Sequence, residues 1–349
     1  MTLPSLRYAA CAALGLLAAC TPGRPPLHSA AGLAQGTTYS LQWSGGPADV
    51  DEVERAAGAE LDRLDALLSN YRTDSTIEQF NATHTVEPLE LPAELVTLLK
   101  LAKEIHAASN GCFDPTVRPL VHLWGFDGDA PSVPDPAAVA QVLVSVGLDN
   151  LEILDAEHVR KTVPELAIDM SSIGQGYSAE RLGRVLEKYG IDHYLAEIGG
   201  EIFARGTKPG QQAWRVGVED PEGGTGRALR LPPEPGTAVM TSGTYRHYFE
   251  AEGRRYSHII DPRTGWPAQG LVSVTVVSSS GMRCDAWDTG LFVMGSGKAR
   301  ALARARTDLA VVIVEPAAAG RLIVWVEEAL RSRFQIEAGA ASTVELRYF

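Results

Sequence analysis

Cys284 to Leu291 (CDAWDTGL) gathers oxygen donors at a spacing that could do chemistry. Asp285, Asp288 and Thr289 stand at i, i+3 and i+4, so on a helix two carboxylates and a hydroxyl share one face. A hard divalent cation suits such a set: Mg²⁺ takes oxygen ligands in near-octahedral geometry and keeps waters beside one or two carboxylates and a substrate phosphate. The same D-x-x-D-T spacing also serves as a solvated helix face or a helix cap, so its meaning depends on what the chain places beside it.

Four other stretches carry polar groups in patterned settings. Ala167 to Ser178 (AIDMSSIGQGYS) reads as a strand, a Ser/Gly turn and a helix. Such a junction aims backbone N–H groups at an anion, although the same residues cap a helix equally well. It has neither a Walker lysine nor the spacing of a dinucleotide fingerprint. Tyr194 to Gly206 (YLAEIGGEIFARG) sets Gly199-Gly200 between two strands as a hairpin turn, flanked by Glu197 and Glu201. Asn110 to Gly128 holds Asp114-Pro115 just after a helix stop, where turn chemistry alone accounts for the carboxylate. Leu123, Trp124 and Phe126 in that stretch read as core or as an aromatic pocket wall. Thr241 to Gly265 is the densest polar run, with His247, His258, Asp261 and Arg263. A strand-borne histidine such as His258 is ordinarily half-buried and satisfied, yet its pKa also suits a base.

The elements that position these groups follow from composition and periodicity. With 349 residues, 45% hydrophobic and 21% charged, the chain can bury a large core. A net charge of −12 excludes a partner held by a basic patch, nucleic acid above all, so a phosphate-bearing ligand would have to be met by backbone N–H groups and a cation. At the N-terminus, Arg7, the apolar stretch Tyr8–Ala18 and Leu17-Ala18-Ala19-Cys20 resemble a bacterial lipoprotein signal, with cleavage before Cys20 and acylation of its thiol. A plain secretory signal is the alternative. The expected layout is a signal peptide at 1–19, a lipidated Cys20 with a Pro-rich tether through 34, and a body at 35–349. That places the body at the bacterial cell envelope, facing the periplasm, held to the inner or outer membrane by its lipid. Cys112 and Cys284 remain in the body, where an oxidising compartment would let them pair if close.

Within the body, Thr38–Trp43 alternates like an edge strand, and helices are expected over Asp49–Asn70, Ala93–Ser109 and Asp135–Val146. Short strands follow at Leu151–Leu154, Val159–Val163, Ala167–Met170, Tyr194–Ile198, Ile202–Arg205 and Trp214–Glu219, interrupted by a helix over Ser178–Tyr189. Glu222–Pro235 reads as a loop. Strands at Ala238–Thr241, Tyr245–Glu250, Arg255–Ile260 and Leu271–Ser278, a helix from Arg283, and strands at Leu309–Glu315 and Arg321–Val326 complete an α+β chain with a mostly antiparallel sheet and flanking helices, in one body or two lobes.

Seven blocks in order resemble the ApbE-type FAD:protein FMN transferases: GTTY at Gly36, LSNYR at Leu68, FDPTV at Phe113, DMSSIGQG at Asp169, EIGGE at Glu197, SHIIDPRTG at Ser257 and CDAWDTGL at Cys284. The resemblance spans nearly the whole body and implies a T-fold-like catalytic domain using Mg²⁺ and taking FAD as substrate. It places Asp285, Asp288, Thr289 and the backbone carbonyl of Ser172 on Mg²⁺ positions. It also places Gln35, Tyr71, Cys112, Phe113, Asp114, Asp169, Gln175 and Ile260 on the FAD site, and His258 on a catalytic histidine. Three positions depart from the family's usual residues: Gln35 for Met, Cys112 for Ala, and Gln175 for a Lys whose positive charge is thereby lost. The implied reaction transfers FMN from FAD to a threonine of an acceptor protein, usually a redox-complex subunit, and releases AMP. An FAD pyrophosphatase yielding FMN and AMP, and a non-catalytic flavin-binding lipoprotein, are the alternatives.

Overall fold

A computed structural model describes residues 25–46, 49–128, 130–218, 227–230, 236–336 and 344–349. The signal at 1–19, Cys20 and the tether up to residue 24 lie outside them. The main sheet has nine strands: β1 (Leu27–Ala34), β2 (Thr37–Ser44), β3 (His193–Ile198), β4 (Glu201–Arg205), β5 (Thr237–Gly243), β6 (Ser273–Ser278), β7 (Leu309–Pro316), β8 (Leu322–Val326) and β9 (Val344–Tyr348). Their order across the sheet is their order along the chain. Each runs antiparallel to the one before except β9, which is parallel to β8. Two-residue turns with positive φ close two hairpins, Gln35-Gly36 between β1 and β2 and Gly199-Gly200 between β3 and β4.

The helices are α1 (Val50–Leu68), α2 (Thr76–Ala82), α3 (Ala93–Ala108), α4 (Arg118–Leu123), α5 (Pro136–Leu143), α6 (Ser171–Lys188), α7 (Gly281–Met294) and α8 (Ser296–Arg304). Asp49 caps α1 by accepting the Asp51 N–H, and the helical spacing buries Val53, Ala57, Leu61, Leu64 and Leu68. Both faces of the central sheet are covered. On β7, Val311 and Ile313 enter a core shared with α1, α3, α6 and α7, while Ala310, Val312 and Val314 enter a second core with Trp214, Val216 and Phe334. A third cluster centres on Trp124, with Phe126, Phe249, Tyr256 and Trp266 around it. The Trp124 indole donates to the Gly265 carbonyl at 2.9 Å, which ties α4 to the turn before Trp266 within this cluster.

Several expectations need correction. Ala167–Met170 is not a strand, and the Ser/Gly segment after it is the first two turns of α6, whose glycines face another helix and not a ligand turn. Residues 27–34 of the expected tether form β1, so β2 is an interior strand and not an edge. The third helix stops at Leu143, short of Val146. Arg227–Arg230 is a strand inside the expected Glu222–Pro235 loop; the remainder of that loop lies outside the described residues. The sheet ends at β9, which the sequence reading did not find. Among the described residues no helix is long and apolar enough to cross a membrane.

The contact that positions the chemistry is between α6 and α7. A Cβ on Gly176 would stand 2.5 Å from the Gly281 carbonyl oxygen and 2.6 Å from Asp285 Cβ, and one on Gly281 would overlap the Gly176 carbonyl. Glu180 of α6 accepts the N–H of Gly281 at 2.7 Å, satisfying one of the open donors at the start of α7. Gly281→Ala is therefore expected to force the helices apart and destabilise the fold by about 1–3 kcal/mol. A denaturation midpoint equal to that of the parent would contradict this packing argument.

Candidate active site

The Gly176/Gly281 contact presents one face of α7 to a cleft, and the oxygen set of CDAWDTGL lies on that face. Asp285, Asp288 and Thr289 all line the cleft, as does Ser172 from the first turn of α6. Asp285 Oδ2 accepts the Gly176 N–H at 2.7 Å. Asp288 Oδ1 accepts from Ser242 at 3.0 Å and from Thr289 at 3.2 Å, and the two hydroxyls are themselves 3.0 Å apart. Among the described residues neither aspartate forms an ion pair, yet Asp285 is 5% exposed and Asp288 1%. Burial pushes the Asp285 carboxyl up to about 7, and burial together with the neighbouring Asp285 and Glu201 charges pushes Asp288 well above the carboxylate range.

Glu201, at the start of β4, is the third buried carboxylate of this wall and accepts the Thr241 N–H at 3.1 Å. Burial and the Asp285 charge raise its pKa in the same way. Among the described residues no group of three or more His, Cys, Asp or Glu is arranged as a metal cage. The set that does fit a hard cation mixes two carboxylates with a hydroxyl and a backbone carbonyl, which is oxygen throughout.

His258 follows directly on the strand Arg254–Ser257 and faces the same cleft. Its Nδ1 lies 3.1 Å from the His247 carbonyl, which can only accept. Nδ1 therefore carries the ring proton and Nε2 keeps its lone pair. Burial lowers the pKa of His258, the His247 carbonyl and the Asp169 charge partly oppose that, and the His247 ring and the Arg246 guanidinium add to it. The imidazole is thus neutral at pH 7.

The remaining expected residues divide between this cleft and an adjoining recess that shares Tyr71, Ser171, Gln175 and His258 with it. Tyr71 stands 74% exposed on the common rim. Gln35 lines only the recess, held by its amide donating to Ser178 Oγ at 3.0 Å. Gln175 lines both, its amide packed on Gly199, where a Cβ would come within 2.9 Å. Cys112, Phe113 and Ile260 are buried in the cleft wall. Cys112 and Cys284 are both free thiols, and Cys284 turns toward the sheet, where its Sγ meets the Val276 carbonyl at 2.9 Å.

Asp114 and Asp169 line the cleft while holding its framework together. Asp114 accepts from Thr116 N–H at 2.9 Å, from the Thr116 hydroxyl and from Leu148 N–H, and pairs with His106 at 3.1 Å. That pairing raises the His106 pKa. Asp169 accepts from Asn70 and Ser171, and its own N–H donates to the Pro115 carbonyl at 2.7 Å. Blocks 70, 113 and 169 are knit together by these bonds. The sequence reading did not assign Asn70, Glu201, Ser242 or Arg246 to the site. For Glu201 the signal was present, since an acidic residue beside a Gly-Gly turn begins a strand that leads into a buried sheet.

Comparison with known proteins agrees with this arrangement. The sequence profile of the ApbE family matches residues 35–313. An FAD:protein FMN transferase of Salmonella typhimurium is 35% identical, over 90% of this chain and 93% of its own length. One of Vibrio cholerae is 37% identical over 88% and 92%. The crystal structure of the Pseudomonas stutzeri flavinyl transferase ApbE superposes with a TM-score of 0.80 at 32% identity, covering 89% of this chain and 97% of that one. The flavin transferase ApbE of Vibrio cholerae gives 0.79 at 31%, covering 88% and 100%. With blocks, fold and relatives in agreement over most of its length, the chain belongs to the ApbE family of FAD:protein FMN transferases.

Proposed function

We propose that this flavin transferase moves the FMN half of FAD onto a threonine hydroxyl of an acceptor protein, with Mg²⁺ at the pyrophosphate and AMP as leaving group. One observation carries the reading: a buried all-oxygen donor set, unpaired among the described residues, shares its cleft with an imidazole whose Nε2 is free of a proton. Two carboxylates this buried favour a cation, because binding one removes the cost of leaving them charged in a desolvated site. Asp285, Asp288, Thr289 and the Ser172 carbonyl would hold Mg²⁺, which would supply charge neutralisation at the phosphates and fix their orientation.

The chain's own groups then account for the rest. His258 Nε2 takes the proton of the acceptor hydroxyl as its oxygen bonds to the FMN-side phosphorus, and the bond from that phosphorus to the bridging oxygen breaks, leaving with AMP. Such a reaction asks mainly for positioning and charge stabilisation from the protein. Tyr71, Cys112, Phe113, Gln175 and Ile260 would frame the flavin and its phosphates, with Gln35 at the far end of the recess. Asp114 and Asp169 keep the cleft's wall in register. The non-catalytic alternative has no support once the chain is placed among transferases.

The direct test is to incubate the protein with FAD, Mg²⁺ and a candidate acceptor domain and to follow both a flavin-fluorescent acceptor band and AMP. Labelled acceptor with AMP is the expected result; AMP without label would turn the reading to hydrolysis by water. Asp285→Asn and Asp288→Asn should each abolish turnover, as should chelation of divalent metal, and full activity in either variant would remove that residue as a ligand. His258→Ala should lower the transfer rate by roughly 10²–10⁴-fold. Because burial depresses the His258 pKa and its neutral form is the base, wild-type kcat/KM at saturating Mg²⁺, which would hold Asp285 and Asp288 deprotonated, should rise with pH through a value below 6.5. A limb centred above 6.5 would count against this assignment.

We further propose that Cys20 is acylated and anchors the enzyme at the cell envelope, facing the periplasm. The N-terminal signal and the length of chain between Cys20 and β1 support it. Cys20→Ser should move the protein from the membrane fraction to the soluble fraction, and persistence in the membrane would exclude a lipid anchor at this residue.

A further inference from the structure

The cleft brings together more acidic groups than the proposed Mg²⁺ ligands account for. Glu201, Asp285 and Asp288 are buried together on one wall, and the substrate brings a pyrophosphate to the same place. Two arginines line the cleft, Arg118 and Arg246. Arg118, on the α4 side, donates to the Asn70 carbonyl at 2.8 Å and lies 3.3 Å from Glu78 and 3.9 Å from Asp127. Arg246 is the cation on the carboxylate side, close enough that its charge acts on both Glu201 and His258.

The placement of Arg246 is built into the fold. Its Nη1 donates to the Gly199 carbonyl at 2.7 Å. A Cβ on Gly200 would stand 2.6 Å from Nη2 and 2.7 Å from Nη1, so the guanidinium lies flat on the β3–β4 turn in space that only glycine leaves open. Gly199 and Gly200 both have positive φ, 62° and 96°, which suits a two-residue hairpin and already disfavours other residues. Gln175 packs on Gly199 from the other side, so the same turn seats a neutral amide and a guanidinium at one edge of the cleft.

We propose that Arg246, seated on the Gly199-Gly200 turn at the edge of the cleft, contacts the FMN-side phosphate of FAD and stabilises the charge that builds there during transfer. The inference rests on the reading of this cleft as the FAD site. A planar guanidinium seated against the turn offers the fork geometry that phosphate oxygens match, whereas a lysine at the same position would offer a point charge on a flexible stem. The cation here comes from the β5 side of the cleft, not from α6, where Gln175 stands.

The test separates phosphate recognition from mere support of the turn. With divalent metal chelated so that no turnover occurs, FAD and riboflavin are titrated against wild type, Arg246→Ala, Arg246→Lys and Gly200→Ala by flavin fluorescence. Arg246→Ala should weaken FAD about tenfold or more and leave riboflavin, which has no phosphate, unchanged. In turnover with Mg²⁺ and acceptor, kcat/KM should fall about 10²–10³-fold, with Arg246→Lys restoring only part of it. Gly200→Ala, which displaces the guanidinium without removing it, should change FAD affinity in the same direction. Equal weakening of FAD and riboflavin would reduce Arg246 to a support for the turn, and unchanged FAD affinity with kcat/KM within threefold of wild type would overturn the proposal. A wild-type protein that bound riboflavin but not FAD would remove the reading of the cleft along with it.

Discussion

The approach of α6 to α7 at Gly176 and Gly281 is the constraint on which the rest of the site depends. Backbone meets backbone there, with no room for a Cβ on either residue. The consequence is chemical as well as mechanical, because the Gly176 N–H reaches Asp285 Oδ2 and holds that carboxylate toward the cleft. One helix brings Ser172 and Gln175 to the cleft, the other brings acidic side chains, and the shared contact sets their separation. Cys284, one residue before Asp285, packs in the opposite direction against Val276 of β6, so the sheet fixes the rotation of α7 about its axis. A helix pinned on two sides in this way holds its ligand face rigidly, as a site requires when misplacement by an ångström costs much of the rate.

The fold's other specialised features converge on the same cleft. Strand order follows chain order, so β3, β4 and β5 are adjacent and their ends lie side by side. The β3–β4 turn brings Gly199, Gly200 and Glu201 to the cleft, and β5 brings Thr241 and Ser242. From the other side, Asn70, Pro115 and Asp169 exchange hydrogen bonds that bind three distant segments into one wall. Such bonds occupy both oxygens of Asp114 and Oδ1 of Asp169, so the two carboxylates line the cleft while tying its wall together.

Much of this was legible in the sequence, and the failures have physical reasons. The helical face of Asp285, Asp288 and Thr289 follows from spacing alone, and the Gly-Gly hairpin follows from turn chemistry. The start of α6 was misread because Ser171, Ser172, Gly174 and Gly176 look like a turn by propensity. Gly176 serves helix packing instead, and its partner, Gly281, is over a hundred residues away. β1 was read as tether because its burial is slight, and an edge strand with little to bury leaves little alternation to read. Arg246 could not be placed either, since its position depends on a turn that is remote in sequence and that leaves the needed space only in three dimensions.

Burial acts on the two kinds of titratable group in this cleft with opposite consequences, and together they divide the chemistry. Desolvation disfavours charge on any group, so it raises Asp285, Asp288 and Glu201 and lowers His258. For the carboxylates this creates a demand for positive charge, which the proposed Mg²⁺ would satisfy while leaving them poor bases. For the imidazole the same environment keeps the ring neutral, and the His247 carbonyl directs its lone pair through Nε2. A histidine in that state can accept a proton at neutral pH beside a cluster of acids, because the burial that raises the acids also lowers the imidazole and keeps it unprotonated.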